Sequence, residues 1–285
     1  MTVCNALAIN RDPIAPPPFS PWAYRDTPLA AWRNRVGYAV SDWLTRSVAN
    51  AVASYRQTWK LPAHRVMDES FSTRAQLCQM PREFDFPRRS LPDCFRYVGP
   101  LRRASLEPVT FPWERLDGRP MVYASLGTLQ NSREPLFRCF AEACQGLDVQ
   151  LVLSHGGGLT KEQAARLPGS PLVVGYAPQL ELLSKAMLTI THAGLNTVLD
   201  SLTHGVPVVT VPITYEQPAI AQRVEWSGSG RSLSLERLNA RRLRSVISEV
   251  LQPGSFSAAA QRIGKAIQGA GGVMRAADIA EDAVR

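Results

Sequence analysis

Between Val174 and Gln217 the chain reads VGYAPQLELLSKAMLTITHAGLNTVLDSLTHGVPVVTVPITYEQ, an order of residues that few folds accommodate. Met187 to Thr191 is an apolar run that predicts a strand delivering His192. Gly194 allows a tight turn, and Asn196 and Thr197 open a helix running towards His204. After Gly205 the chain returns as a second strand, Pro207 to Val211, and leaves through Pro212 to Glu216 and Gln217. Strand, turn, helix and returning strand make a unit that needs a parallel sheet to sit in.

The start of such a helix carries unpaired N–H groups and the positive end of the helix dipole, so it receives anions, phosphate above all. His192, Asn196 and Thr197 add side-chain donors beside those amides. Asp200 lies one turn beyond Thr197, where a carboxylate can accept from vicinal sugar hydroxyls. Glu216 and Gln217 stand at the carboxyl end of the next strand, where open α/β sheets bind ligands. A diphosphate cradle, a ribose acceptor and a second polyol acceptor together describe a nucleotide-sugar site.

Tyr176, Pro178, Gln179, His192, Gly194, Asn196, Thr197, Asp200, Gly205, Val206, Pro207, Pro212, Glu216 and Gln217 resemble the signature of the UDP-sugar-dependent glycosyltransferases, the GT-B enzymes with two Rossmann-like domains. Within that superfamily the chain is most similar to the bacterial zeaxanthin (carotenoid) glucosyltransferases. The resemblance implies an α/β fold of GT-B type, with one complete doubly wound C-terminal domain and a partial N-terminal acceptor domain. It also implies that Ser125, Gly127 and Thr128 present donors to the diphosphate. Tyr176 occupies the place where the family stacks an aromatic on uracil, and Ala177 and Gln179 match positions at the base edge. Asp200 stands where the family commonly has Glu, and Glu216-Gln217 where Asp-Gln is commoner; both departures keep the carboxylate. The implied reaction is displacement at the anomeric carbon by an acceptor hydroxyl, with UDP leaving and inversion. UDP-glucose is the donor substrate, and the acceptor is apolar and hydroxylated, zeaxanthin by resemblance. His192 faces phosphate in this reading and donates to the leaving group rather than acting as a base. The family's catalytic base is a His near the start of the acceptor domain; His64, His155, His192 and His204 match no such motif, so we expect that base to be missing from this chain.

The rest of the chain fits around this unit. Strand MVYAS from Met121, a helix from about Glu134 to Cys144, strand VQLVLS (149–154), a short helix through Ala164 and strand LVVG (172–175) alternate as a doubly wound parallel sheet does. After Gln217 the sequence predicts helices from Ala219 to Trp226, from Arg241 to Leu251, and two Ala-rich pieces between Ser257 and Val284. Before Met121, Val3 to Ile9 reads as a strand beginning mid-domain, and RDPIAPPPFSPW as an extended loop. From Pro28 to Lys60 a helical stripe of Trp32, Val36, Ala39, Val40, Trp43, Leu44, Val48, Val52 and Tyr55 reads as core packing, in preference to a wall for a long apolar acceptor. Short apolar pieces follow around Ala75 to Leu77 and Phe95 to Val98. The expected organisation is an acceptor-domain remnant over 1–100, a linker over 101–120, a donor-binding domain over 121–255, and C-terminal helices over 256–285 that pack back on the first part.

Composition narrows the function. The formal charge of +8 is uneven, with 17 basic against 11 acidic side chains in residues 1–119 and 15 against 13 thereafter. The cations are mostly single Arg residues without interleaved aromatics, which argues against nucleic acid and leaves a solvated basic face or peripheral contact with an anionic membrane. Five cysteines contain no C-x-x-C pair and predict neither a disulfide framework nor a zinc site. No apolar run approaches a membrane helix and the start has no secretory pattern, so a cytoplasmic protein is expected. His155-Gly-Gly-Gly158 lacks a P-loop ending and reads as a flexible loop; Glu83-Phe-Asp85 resembles a metal-binding acidic pair but lies in a Pro/Arg-rich loop. With cationic donors and a helix dipole on hand, no metal is required. Two other readings share these motifs: a donor-binding subunit that works with a separate acceptor-domain partner, and a sugar-nucleotide epimerase of the same fold. The Tyr176/Gln179 and Glu216/Gln217 pairs argue against the second.

Overall fold

The computed structural model describes residues 1–102, 109–128, 130 and 133–284. In chain order the first lobe contributes β1 (Thr2–Cys4), helices α1 (Pro28–Leu44) and α2 (Arg46–Thr58), β2 (Gln76–Cys78) and β3 (Phe95–Tyr97). The second contributes β4 (Met121–Ser125), α3 (Glu134–Cys144), β5 (Gln150–Ser154), α4 (Lys161–Ala165), β6 (Leu172–Val174), α5 (Gln179–Leu183), β7 (Ala186–Thr191), α6 (Leu195–Thr203), β8 (Val208–Thr210) and α7 (Gln217–Trp226). It closes with β9 (Gly230–Ser232), α8 (Ala240–Leu251), α9 (Ser255–Gly269) and α10 (Gly272–Val284).

The larger sheet has six parallel strands in the order β6-β5-β4-β7-β8-β9. Every residue of β4 and β5 is buried, as strands covered by helices on both faces must be. The chain winds from β4 through β5 to β6, then crosses back so that β7 lies against the other side of β4, with Ser125 opposite Thr191. That reversal opens a crevice at the carboxyl ends of β4 and β7, the place where such sheets bind ligands. The smaller sheet is three parallel strands, β1-β2-β3. This is the two-lobed α/β arrangement expected, with the first sheet smaller than the second.

One hydrophobic cluster is common to both lobes. It joins Cys4, Leu7, Cys78, Met80, Phe84 and Phe95 to Leu195, Leu199, Ile220, Val224, Ile263 and Ile267. α10 sets Ala276 against Leu77 and Val98, and Arg74 Nη1 donates to the Ala283 carbonyl at 2.9 Å. Within the expected linker, residues 103–108 lie outside the described residues, and Phe111 packs with Met121 and Tyr123 on the larger sheet. The five cysteines are free thiols.

Three local expectations change. The expected strand over Val3–Ile9 shrinks to β1, and Asn5 and Ala6 instead enter a loop towards the second lobe. β9 was not expected, because GRS has no alternating pattern; it exists because Gly230 lies so close to β8 that a Cβ would meet the Val208 carbonyl oxygen at 1.8 Å. The helical stretch from Pro28 is two helices broken at Thr45, and its apolar stripe is not core: Trp32, Val36, Val40, Trp43, Val48, Val52 and Tyr55 are all exposed. α1 packs instead through Ala30, Asn34 and Gly37. The hydrophobic pattern gave the helix period correctly but not which side faces inward.

Candidate functional site

At the crevice lies a cavity of about 530 Å³, lined by Gly127, Thr128, Gln179, His192, Gly194, Leu195, Asn196, Thr197, Tyr215, Glu216 and Gln217, with Asn5, Ala6 and Gln130 completing the wall. β7 ends at Thr191, and the chain turns through His192, Ala193 and Gly194 into α6. Ala193 adopts φ 66°, and on the far wall Tyr215 adopts φ 55° immediately before Glu216. Two non-glycine residues in the left-handed region flank one cavity, a conformation that costs on the order of 1–2 kcal/mol each and fixes the direction of the turns.

α6 begins at N-cap Gly194 with no side-chain cap. Its first-turn N–H groups therefore open towards the cavity with the dipole behind them. His192 packs over both glycines of the site. A Cβ on Gly127 would come within 2.8 Å of the imidazole Cε1, and one on Gly194 within 2.7 Å of Cε1 and Nε2. Burial pushes the His192 pKa down to about 4 against an opposing hydrogen bond to the Ser125 backbone, so at neutral pH the ring is uncharged and its one N–H is shared with the Ser125 carbonyl. The cationic donor expected there is thus a neutral one, and no Lys or Arg is among the lining residues. The cavity is lined there by the first-turn amides of α6, Asn196, Thr197 and the imidazole.

Ser125 lies beneath this array, its hydroxyl accepting from the Gly127 N–H at 3.2 Å. Asp200 is also below the cavity wall, and its carboxylate is already engaged. Arg102 Nε donates to Oδ1 at 3.1 Å and Arg102 Nη2 to Oδ2 at 2.7 Å, while Gln179 Nε2 donates to Oδ2 at 2.7 Å. Burial raises the Asp200 pKa, and Arg102 and Gln179 oppose that rise. A carboxylate offers about four acceptor positions, so three donors leave it room for about one more. Arg102 gave no signal in the sequence, because its partner is 98 residues away.

Gln217 Oε1 receives the Ile213 N–H at 2.8 Å and the Thr214 N–H at 3.0 Å, leaving its amide donors for the cavity. Glu216 is the carboxylate on that wall. Tyr176 and Ala177 do not line the cavity. Tyr176 stands 63% exposed at the end of β6, its hydroxyl donating to the Gly156 carbonyl at 3.4 Å, and Ala177 packs beside Leu182 and Leu183. The loop His155–Gly158 that Tyr176 touches is pinned, not slack: Leu159 N–H donates to His155 Nδ1 at 3.0 Å, and His155 N–H to the Val174 carbonyl at 3.0 Å.

Asn5, Ala6 and Gln130 are wall residues that sequence reasoning missed. Asn5 and Ala6 come from the other lobe and are held by Gln79, whose amide reaches the Asn5 carbonyl and Asn196 Oδ1 at 3.4 Å. Asp85 lies in the Pro/Arg-rich loop, as expected. It is fully buried, receiving Arg223 Nε at 2.9 Å and Nη2 at 2.8 Å on one oxygen, and Arg88 Nε at 3.1 Å and the Tyr97 hydroxyl at 2.8 Å on the other. Its exposed neighbour Glu83 takes no part.

A family model described as "UDP-glucoronosyl and UDP-glucosyl transferase" matches residues 36–266. The chain belongs to that family. Among curated members, the zeaxanthin glucosyltransferase of Pantoea ananas is 36% identical over 287 residues, covering 99% of this chain and 66% of the relative. That of Pseudescherichia vulneris is 36% identical over 289 residues, covering 100% and 68%. The chain therefore spans about two thirds of the length of these two family members. Among solved structures, the glycotransferase of kitacinnamycin superposes with a TM-score of 0.73 at 24% identity, over 88% of this chain and 67% of that one. The calicheamicin glycosyltransferase CalG4 gives 0.71 at 23%, over 83% and 60%. These likenesses establish the shared GT-B architecture.

Proposed function

We propose that this chain carries the donor half of a UDP-glucose-dependent glycosyltransferase whose acceptor is an apolar hydroxylated molecule, zeaxanthin or a close analogue. The observation that carries the reading is the uncapped start of α6 opening into a 530 Å³ cavity opposite Glu216 and Gln217. The diphosphate lies against the α6 amides, Asn196, Thr197 and His192, with Gly127 and Thr128 on its other side. Asp200 receives one ribose hydroxyl, and Glu216 and the Gln217 amide hold the hexose. An acceptor hydroxyl attacks the anomeric carbon from the face opposite UDP, so the bond to the diphosphate breaks with inversion. Preorganised neutral donors stabilise the charge that gathers on the departing phosphate, as they would a developing oxyanion. The placement of uracil on Tyr176 needs the base to reach the β6 rim.

The attacking hydroxyl also needs a base. Of the four histidines only His192 lines the cavity, and with its pKa lowered to about 4 it is too weak a base for this step. We therefore assign the base to a further acceptor-lobe segment or a separate acceptor-domain partner. Titration calorimetry tests the donor assignment. The chain should bind UDP, Asp200→Ala should weaken binding by about fivefold to tenfold, and Arg102→Ala, which leaves the carboxylate free for both ribose hydroxyls, should not weaken it. Unchanged affinity in Asp200→Ala would remove the ribose role. Zeaxanthin glucosylation by the chain alone would show that the base is within it.

A further inference from the structure

α1 and α2 have their amphipathicity turned inside out. α1 meets the protein through Ala30, Asn34 and Gly37, with Asn34 Nδ2 donating to the Pro13 carbonyl at 3.0 Å and the Trp22 ring against Gly37. On a 3.6-residue helix those positions share one side, and Trp32, Val36, Val40 and Trp43 share the opposite one. That apolar side faces outward, with Trp32 61% and Trp43 69% exposed. α2 has no buried residue, and Val48, Val52, Tyr55 and the capping Trp59 recur along one of its faces. Val48 and Val52 also border a groove of about 250 Å³ against Val66 and Met67, which extends the apolar surface. A 13-residue helix with nothing buried is marginal by itself in water, which makes this surface a candidate for docking.

Charge identifies the partner. Residues 27–66 carry Arg33, Arg35, Arg46, Arg56, Lys60 and Arg65 against a single carboxylate, Asp42. Asp42 is taken by Arg11 at 2.5 and 2.8 Å. Arg35, Arg46 and Lys60 are exposed on the same two helices, Arg46 at the first residue of α2 and Lys60 just past its last turn. A second copy of this chain would set two positive surfaces against each other, which opposes self-association. Tryptophan and tyrosine among aliphatic residues, flanked by cations, is the composition of helices that lie in the headgroup plane of a bilayer. At 17 and 13 residues with polar inner faces, α1 and α2 suit lying on a bilayer rather than crossing it.

We propose that the α1–α2 face docks on an anionic lipid surface, with Trp32, Trp43 and Trp59 at headgroup depth and Arg35, Arg46 and Lys60 against lipid phosphates. The argument stands on this surface alone; the proposed apolar acceptor adds that its solvent would be the same bilayer. The test is sedimentation of the whole chain with vesicles of phosphatidylcholine, with and without one quarter phosphatidylglycerol, read together with tryptophan emission. Partition onto the anionic vesicles should exceed that onto neutral ones by at least about tenfold, fall with added salt and shift the emission to the blue. Arg46→Gln with Lys60→Gln should lower it about thirtyfold, and Trp43→Glu with Val52→Glu should abolish it. Both double variants should bind UDP as the parent does, which shows that they are folded and separates failure here from failure of the nucleotide assignment. Absence of partition, equal partition onto both vesicles, or a dimer broken by Trp43→Glu with Val52→Glu in a chain that ignores vesicles would each overturn the proposal.

Discussion

His192 shows how a residue's chemistry is set by what it touches. Histidine titrates near neutrality in water, and its position after a strand offers both a base and a donor role. The two glycines draw the ring into the turn, burial removes its charge, and a single N–H remains. Because the folded pKa of about 4 lies below the ordinary 6.5, the unfolded chain binds more protons between those values. Stability contributed by His192 is then fully present above pH 6.5 and is lost as the pH falls towards 4, by roughly 3 kcal/mol across that window. His192→Gln should flatten this part of the stability–pH curve in urea denaturation series. It should also weaken UDP binding by less than about tenfold, as expected for one neutral donor. An unchanged slope between pH 6.5 and 4 would mean that the imbalance lies elsewhere. Asp200 and Gln217 carry the same lesson: their types were readable, but the groups that occupy their lone pairs were not.

At the scale of elements, the turn from β7 into α6 is where local sequence and local structure agree best. Gly194 is the residue the turn needs, because any side chain there meets the imbalance of space around His192, with a Cβ at 2.7 Å from the ring. Gly194→Ala should destabilise the protein by about 1–3 kcal/mol and displace the imidazole, reducing UDP binding well beyond the effect of His192→Gln. Gly269→Ala at the end of α9, where no atom lies within 4 Å of the added Cβ, should be neutral or slightly stabilising by thermal melting. If the two substitutions melt alike, close approach is not what fixes Gly194. The strands β4, β5 and β7 were legible because helices cover both their faces, so each carries a continuous apolar run. α1 and α2 were legible as helices from their period, yet period alone does not say which side meets protein. β9 was illegible because its signal is a missing side chain opposite another strand's carbonyl.

At the scale of the whole molecule, Asp85 links the lobes. It binds Arg88 of its own lobe and Arg223 of α7, the helix that starts at Gln217 in the cavity wall. Burial alone would raise its carboxyl, and the two guanidiniums outweigh burial and hold it below the usual range. Asp85→Ala leaves Arg88 and Arg223 buried without their counter-charge and should cost about 3–5 kcal/mol in chemical denaturation. Asp26→Ala removes an exposed pair with Arg89, 60% and 67% accessible, and should stay within about 0.5 kcal/mol. Equal effects would deny the buried pair its role between the lobes. The sequence by itself determined the alternation of strands and helices, the doubly wound sheet, and the turn that opens a helix start at the end of β7, since each depends on residues within a few positions of one another. Only the tertiary structure decided that Asn5 and Ala6 join the wall, that Arg102 occupies Asp200, that Tyr176 stands apart on the β6 rim, and that the aromatic stripe faces outward. Those outcomes depend on contacts between residues tens to more than a hundred positions apart, and which distant group reaches a given lone pair or face is fixed by how the lobes pack.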